Sequence, residues 1–440
     1  MAANESLRDY NSRAQRRFVV VLLAACLVLQ RFGFPSSGTE ISIAVPITAA
    51  MSCWYLGKGV LAIDRTRLAI MLALVAIALL SFNLQINAPL AIVTRTSVPS
   101  LLFWLGITSV AVLRFTTPMD ERVFFGLVSR CLSWIAVCGI AEFLAQFVGV
   151  KLFSFQSFLP EKYSFEPMYN VVTPATAGSS ILRSNGFFLV EPSVFSQFIA
   201  IGLACEWMNE RRPVTLSVFL FALFCSVSGT GWLAVGAFVL GLTVSSSGRG
   251  LAMGIMFSCI CALAFFVIGL VLPEATETLQ SRMGEFWMPG SSGYLRFATP
   301  IMALSHIFDQ EPFAMLTGMG PGSATTLATI TYEYGTGTPG KILLEYGLFG
   351  LIAYVALILA NRRTRAQTAV LMPVLVVLML GGGYDHFPPV LFPVLLIATI
   401  ANLSSARRPE KVITSRLSGN PETVVTGPGA ADLRSKTSMA

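Results

Sequence analysis

An all-α polytopic membrane fold of about twelve spanning helices is the reading this sequence supports. Three observations carry it. Hydrophobic residues make up 54% of the 440 and charged residues only 12%, about half the charged share of a soluble domain. Mean hydropathy is +0.70. Apolar runs recur along the chain, and the gaps between them alternate in basic charge.

Spanning helices are expected near 18–34, 41–55, 68–82, 98–113, 128–148, 192–207, 213–226, 231–245, 251–271, 342–360, 367–381 and 388–401. Several fall short of the ~20 residues a straight span prefers, so the bounds are soft by a turn. The first run follows a basic stretch, as a signal peptide would. No small-residue cleavage site follows it, because Arg31, Phe32 and Gly33 come next. It is therefore read as an uncleaved helix. Residues 1–17 are read as a cytoplasmic tail, 18–402 as the membrane domain, and 403–440 as a disordered cytoplasmic tail rich in Ser, Thr, Pro, Gly and charge.

The basic residues set the orientation. Arg8, Arg13, Arg16 and Arg17 precede the first helix. Lys58, Arg65 and Arg67 lie in the second gap, Arg114 and Arg122 in the fourth, Arg211 and Arg212 in the sixth, Arg249 in the eighth, and Arg362, Arg363 and Arg365 in the tenth. The odd gaps carry few, Arg31 and Arg95 excepted. The positive-inside rule then places both termini in the cytoplasm. The net charge of +7 is spread over many short loops, so it is a topology signal and excludes a nucleic-acid stripe. All eight cysteines fall inside apolar runs, which indicates neither a disulfide framework nor a zinc site.

Two gaps are long, 151–191 and 273–341, and both belong on the outer side. Long connections are functional or disordered, and these hold aromatics, glycines and isolated charges, which favours folded caps. In "RSNGFFLVEPS", Pro192 suits the first helical position and leaves Glu191 at the N-cap. There Glu191 either caps the helix or accepts a proton from a sugar hydroxyl. Arg183 and Arg296 are loop arginines beside membrane helices. A guanidinium grips phosphate oxygens in pairs, or else meets lipid headgroups. Lys341 and Glu345 form an i,i+4 pair at a helix start, and Glu345 lies within the membrane, where ionisable groups are costly and usually functional. Glu142 is a similar case with no evident partner. Tyr384, Asp385 and His386 share a tight outer turn, either as a tautomer-fixed base or as interfacial residues. His306 stands ahead of Asp309 and Glu311, a carboxylate pair that reads chiefly as the polar end of a surface helix.

Four stretches together resemble the O-antigen ligase and polymerase-like membrane proteins, nearest to the Wzy-type exopolysaccharide polymerases. They are "RSNGFFLVEPSVFSQF", "SVSGTGWLAVGAF", "YLRFATPIMALSHIFDQEPFAMLTGMGPG" and "GTGTPGKILLEYGLFG". The resemblance implies a GT-C-like architecture and a metal-independent glycosyltransferase, without a cofactor, at the periplasmic face of a bacterial inner membrane. Its substrates would be undecaprenyl-diphosphate-linked glycans, donor and acceptor, held in the lipid bilayer. A chain-length regulator and flippase or export proteins enter as candidate partners. Arginines that hold diphosphate map onto Arg183, Arg296 and Arg282. Lys341, Glu345, Tyr384 and Asp385 fall on the substrate-binding side. Ligases of this kind carry a loop histidine ahead of an "ExGxxG" helix start. Here that start is "EYGLFG", Glu345 to Gly350, and Thr336 stands at the histidine position. This favours a polymerase over a ligase, and Glu191 and His386 both remain open as the general base. The rival from another class is a twelve-helix transporter or flippase, for which no half-to-half repeat is evident.

Overall fold

The computed structural model describes residues 2–34, 41–87, 96–150, 180–245, 292–324, 337–360, 364–380 and 388–404, with isolated positions between them. One compact unit covers Met1–Ser405, and residues 406–440 lie outside it and outside the described residues. The described chain is mostly helical. In order the helices are α1 (Ala2–Val28), α2 (Ala44–Gly57), α3 (Arg65–Asn87), α4 (Val98–Ser109), α5 (Glu121–Ala145), α6 (Pro192–Met208), α7 (Pro213–Ser226), α8 (Gly229–Ser245), α9 (Ser292–Gln310), α10 (Ala314–Thr317), α11 (Thr338–Leu359), α12 (Arg365–Leu380) and α13 (Pro388–Ile400). Among the described residues, three stretches are long and apolar enough to cross a membrane: Arg65–Asn87, Glu121–Val148 and Thr338–Leu359. Shorter apolar helices accompany them, such as Pro213–Ser226 and Gly229–Val244. Most of the run expected at 251–271 lies outside the described residues.

Two helices start seven or more residues earlier than the hydropathy suggested. The polar stretch ahead of residue 18 continues α1, because it holds good helix formers and neither Gly nor Pro. An apolar window marks where a helix meets lipid and does not mark where it begins. Helix α5 starts at Glu121 because Asp120 caps it, its Oδ1 accepting from Arg122 N at 2.8 Å.

Helix α6 is the core element. Every residue from Val194 to Trp207 is buried, against α5, α7, α8 and α12. Small residues permit that crowding. A Cβ added at Gly231 would lie 2.6 Å from Ser196 Cβ, and one at Gly241 would lie 3.0 Å from Ala369 Cα.

Strand β1 (Gly33–Phe34) pairs with β2 (Ile41–Ser42) within the first gap, just beyond the C-terminal end of α1. At the other end of the bundle short strands tie several gaps together. Strand β3 (Leu61–Ile63) pairs antiparallel with β4 (Leu113–Phe115), joining the second and fourth gaps. Strand β5 (Met119–Asp120) pairs in parallel with β6 (Leu403–Ser404), bringing the end of the membrane domain to the fourth gap. Glu121 Oε2 accepts from Thr364 Oγ1 at 2.9 Å and Gln367 Nε2 at 3.3 Å, which adds the tenth gap. Gln15 Nε2 of α1 donates to Thr117 Oγ1 at 2.8 Å. The gaps expected on one face are thus in contact with one another. We call this the stitched end.

Buried charge at the stitched end is fully engaged. Glu206 accepts from Ser129 Oγ at 2.6 Å and from the Arg212 fork at 2.9 and 2.8 Å. These bonds to Glu206 hold the Arg212 guanidinium above its ordinary range. Arg67, 1% exposed, donates to Ala111 O at 2.8 Å, beside the β3–β4 pair.

Candidate functional site

The opposite end of the bundle also buries ionisable groups, but surrounds them with glycine turns and an interrupted helix. Glu142 sits on the last turns of α5 and is only 8% exposed. The motif read as "RSNGFFLVEPS" wraps around its carboxylate. Oε2 accepts from Ser184 Oγ at 2.7 Å, Phe187 N at 3.1 Å and Asn185 N at 3.2 Å. Positive φ at Gly186 (74°) and Phe187 (63°) turns the chain so that its N–H groups converge on the carboxylate. Gly is required at 186, since a Cβ there would also lie 2.5 Å from the Phe195 ring. Asn185 Oδ1 closes the turn by accepting from Phe187 N at 3.0 Å.

Arg31 completes this cluster. It is 1% exposed, and its Nε donates to Leu189 O at 2.9 Å, with Nη2 donating to the same carbonyl. It shares this buried region with Glu142 without a direct bond to it, and its Nη1 is buried with no hydrogen-bond partner among the described residues. Two opposite charges in one buried cluster offset the cost of removing each from water. In the sequence Arg31 stood out only as an exception to the charge alternation, and Glu142 had no evident partner. Neither lies near the other in the chain, so no local pattern could reveal the pair.

Glu191 occupies the N-cap of α6 with extended backbone (φ −152°, ψ 159°), and Pro192 takes the first helical position as expected. Its side chain does not cap the helix; it accepts from Ser193 Oγ instead. The start of α8 docks here. Ser193 O accepts from Ser196 Oγ at 2.7 Å and from Thr230 Oγ1 at 3.3 Å, and Ser228 and Thr230 hydroxyls are 3.0 Å apart. The "RSNGFFLVEPS" and "SVSGTGW" motifs are therefore one structural site. Arg183, half-buried, leads into it, and its Nε donates to Pro174 O at 3.1 Å.

A second feature at this end is the break in α11. Gly347 has φ 68° and ψ −171°, which interrupts the helix two residues after Glu345. The interruption frees carbonyls that a continuous helix would use. The glycine loop after α10 supplies replacement donors: Met319 N to Leu344 O at 2.7 Å and Gly320 N to Glu345 O at 3.0 Å. Ser81 Oγ of α3 also donates to Glu345 O, at 2.8 Å. Both strands of this contact need glycine. A Cβ at Gly318 would run into Glu345 O, and one at Gly347 into Leu316 O. The loop is anchored further by Ser97 N donating to Pro321 O at 2.8 Å. Just before the break, Lys341 Nζ lies 3.9 Å from Glu345 Oε1, with both side chains buried. The next residue, Tyr346, stacks on Trp104 of α4 with centroids 4.1 Å apart. The i,i+4 pair was legible in the sequence. The break was not, because a lone Gly in a helical pattern is common.

The remaining site residues divide as follows. Arg296 lies on α9, but its side chain is outside the described residues. Arg282, Tyr384, Asp385 and His386 also lie outside them. His306 and Asp309 are exposed on α9, with His306 Nε2 3.2 Å from Gln310 Nε2, as the surface-helix reading requires. Compared with known proteins, the chain matches no family model and no curated protein.

Proposed function

We propose that this protein polymerises undecaprenyl-diphosphate-linked oligosaccharide repeat units at the periplasmic face of a bacterial inner membrane. In this reading about twelve helices cross the bilayer in a GT-C-like arrangement, and both termini are cytoplasmic. The stitched end faces the cytoplasm and the Glu142 and Glu345 clusters face outward. The observation that carries the reading is the convergence of the family-like motifs. Two of them fold into the single Glu142–Glu191 site, and the other two meet at the α11 break. Motifs that recur for a shared chemistry are expected to assemble in this way, and fold analogy alone would not require it.

The chemistry follows from charge. The acceptor hydroxyl oxygen bonds to the donor's anomeric carbon while that carbon's bond to the diphosphate oxygen breaks. Lipid diphosphate departs with the developing negative charge, which Arg183 and Arg296 (with Arg282) stabilise. The hydroxyl proton passes to Glu191 or His386. In this reading Lys341, Glu345, Tyr384 and Asp385 are assigned to substrate binding. Both substrates are confined to one leaflet by their lipid tails, so proximity supplies much of the rate. The test is the lipid-linked glycan profile of a deletion strain complemented with Arg183→Ala or Arg296→Ala. Single repeat units should accumulate in both. Polymer of wild-type length in both would discard the assignment.

One observation favours a second reading. A helix broken inside the membrane, with a buried ion pair at the break, is how transporters form midplane substrate sites. A flippase would leave precursor on the cytoplasmic side in the same deletion strain.

A further inference from the structure

A cavity of about 570 Å³ opens at the stitched end between the middle turns of α1, Tyr10 to Arg17, and the last turn of α2. Arg13 and Arg17 enter it from α1, one turn apart, and Lys58 enters it from the residue closing α2. Among the described residues lining it, none is acidic. Tyr10, Trp54 and Tyr55 supply its aromatic walls. Lys58 Nζ stands 5.0 Å from the centre of the Trp54 ring, and Trp54 is itself 62% exposed. The same faces of the two helices run on into apolar surface. Val20 and Val21 follow Arg13 and Arg17 at helical spacing and are exposed, and Ala50 precedes Trp54 by one turn and is exposed too.

We propose that this cavity binds the phosphate headgroup of an anionic bilayer lipid, with the acyl chains lying along the α1–α2 groove. Three cations converge where a hydrophobic lane begins, and an exposed tryptophan marks the depth of the headgroups. A soluble phosphate would use the cations but has no use for the lane. The lipid is a structural ligand at the face opposite the Glu142 site, so the inference is independent of the glycan reading.

The experiment uses the full chain, delipidated in a neutral detergent and examined by native mass spectrometry. Phosphatidylglycerol and phosphatidylcholine are offered separately, and inorganic pyrophosphate is the soluble competitor. Phosphatidylglycerol should be retained preferentially and resist pyrophosphate. Arg13→Gln, Arg17→Gln and Lys58→Gln should each weaken it about fivefold. Arg13→Lys with Arg17→Lys keeps the charge and should keep the preference, which separates lost binding from lost folding. Equal retention of the two lipids, an unchanged preference in the triple Gln variant, or displacement by millimolar pyrophosphate would each overturn the proposal.

Discussion

The two ends of this bundle handle buried charge in opposite ways. At the stitched end Glu206 is met by Ser129 and by both arms of the Arg212 fork, and Arg212 stays 39% exposed to water. The pair is held by residues six apart in the chain, at a turn. At the other end Arg31 and Glu142, more than a hundred residues apart in the chain, are both buried in one cluster without a direct bond between them: Arg31 donates to Leu189 O, and Glu142 accepts from Ser184, Asn185 and Phe187. The first arrangement fixes a loop and can form as the local chain folds. The second requires α1, α5 and the loop before α6 to be in place together. Buried ion pairs are weak contributors to stability, because desolvation consumes most of the attraction. Left-handed backbone occurs at both ends: at Gly59 and Arg211 in the stitched end, and at Gly186, Phe187, Gly318, Gly320, Gly322 and Gly347 in the second, where glycine takes it at all but one of these positions.

The contrast can be broken most directly at Glu142. Replacing it by alanine strips the buried acceptor from three donors, Ser184 Oγ, Asn185 N and Phe187 N. A loss of about 3 kcal/mol or more is expected, about 1–3 for each buried donor left unsatisfied. It should appear as a large drop in the unfolding midpoint of the purified protein. A drop no larger than that of an exposed-residue variant would show that the carboxylate does not organise this turn as described.

A smaller effect tests the α11 break. Gly347→Ala must adopt φ 68° and meets the Leu316 carbonyl, so about 2–3 kcal/mol should be lost. Gly236→Ala in α8 is the control. Nothing lies within 4 Å of its added Cβ, and the change should be stabilising by about 0.5–1 kcal/mol. If the two substitutions behaved alike, the break would not be a fixed feature. The smallest loss belongs to the stitched end. Ser129→Ala removes one donor to Glu206 while the arginine fork remains, for an expected loss of about 1–2 kcal/mol.

Local chemistry was readable in advance. Helices α6 and α7 run Pro192–Met208 and Pro213–Ser226, within a residue of their expected bounds, because proline opens each and a basic turn separates them. The alternation of basic gaps foretold which loops meet, and β3–β4, β5–β6 and the Glu121 contacts join those same gaps. The lysine–glutamate spacing in α11 gave the pair found there. What escaped was everything set by contact between distant segments. Glu142 found its partners forty residues on, and Arg31 found Leu189 more than a hundred and fifty residues on. Gly347 broke its helix because a loop from elsewhere supplied the donors. Periodicity describes one helix at a time, so it is silent on all three.

The central claim is that the end with the broken helix carries the function and the stitched end carries the scaffold. Glu345→Gln and Glu206→Gln are near-isosteric changes, one at each end. Each should be expressed in a deletion strain at matched membrane abundance, and the length distribution of the surface glycan measured. The account predicts short or absent polymer with Glu345→Gln and near-normal polymer with Glu206→Gln. Normal polymer with the first and its loss with the second would contradict it.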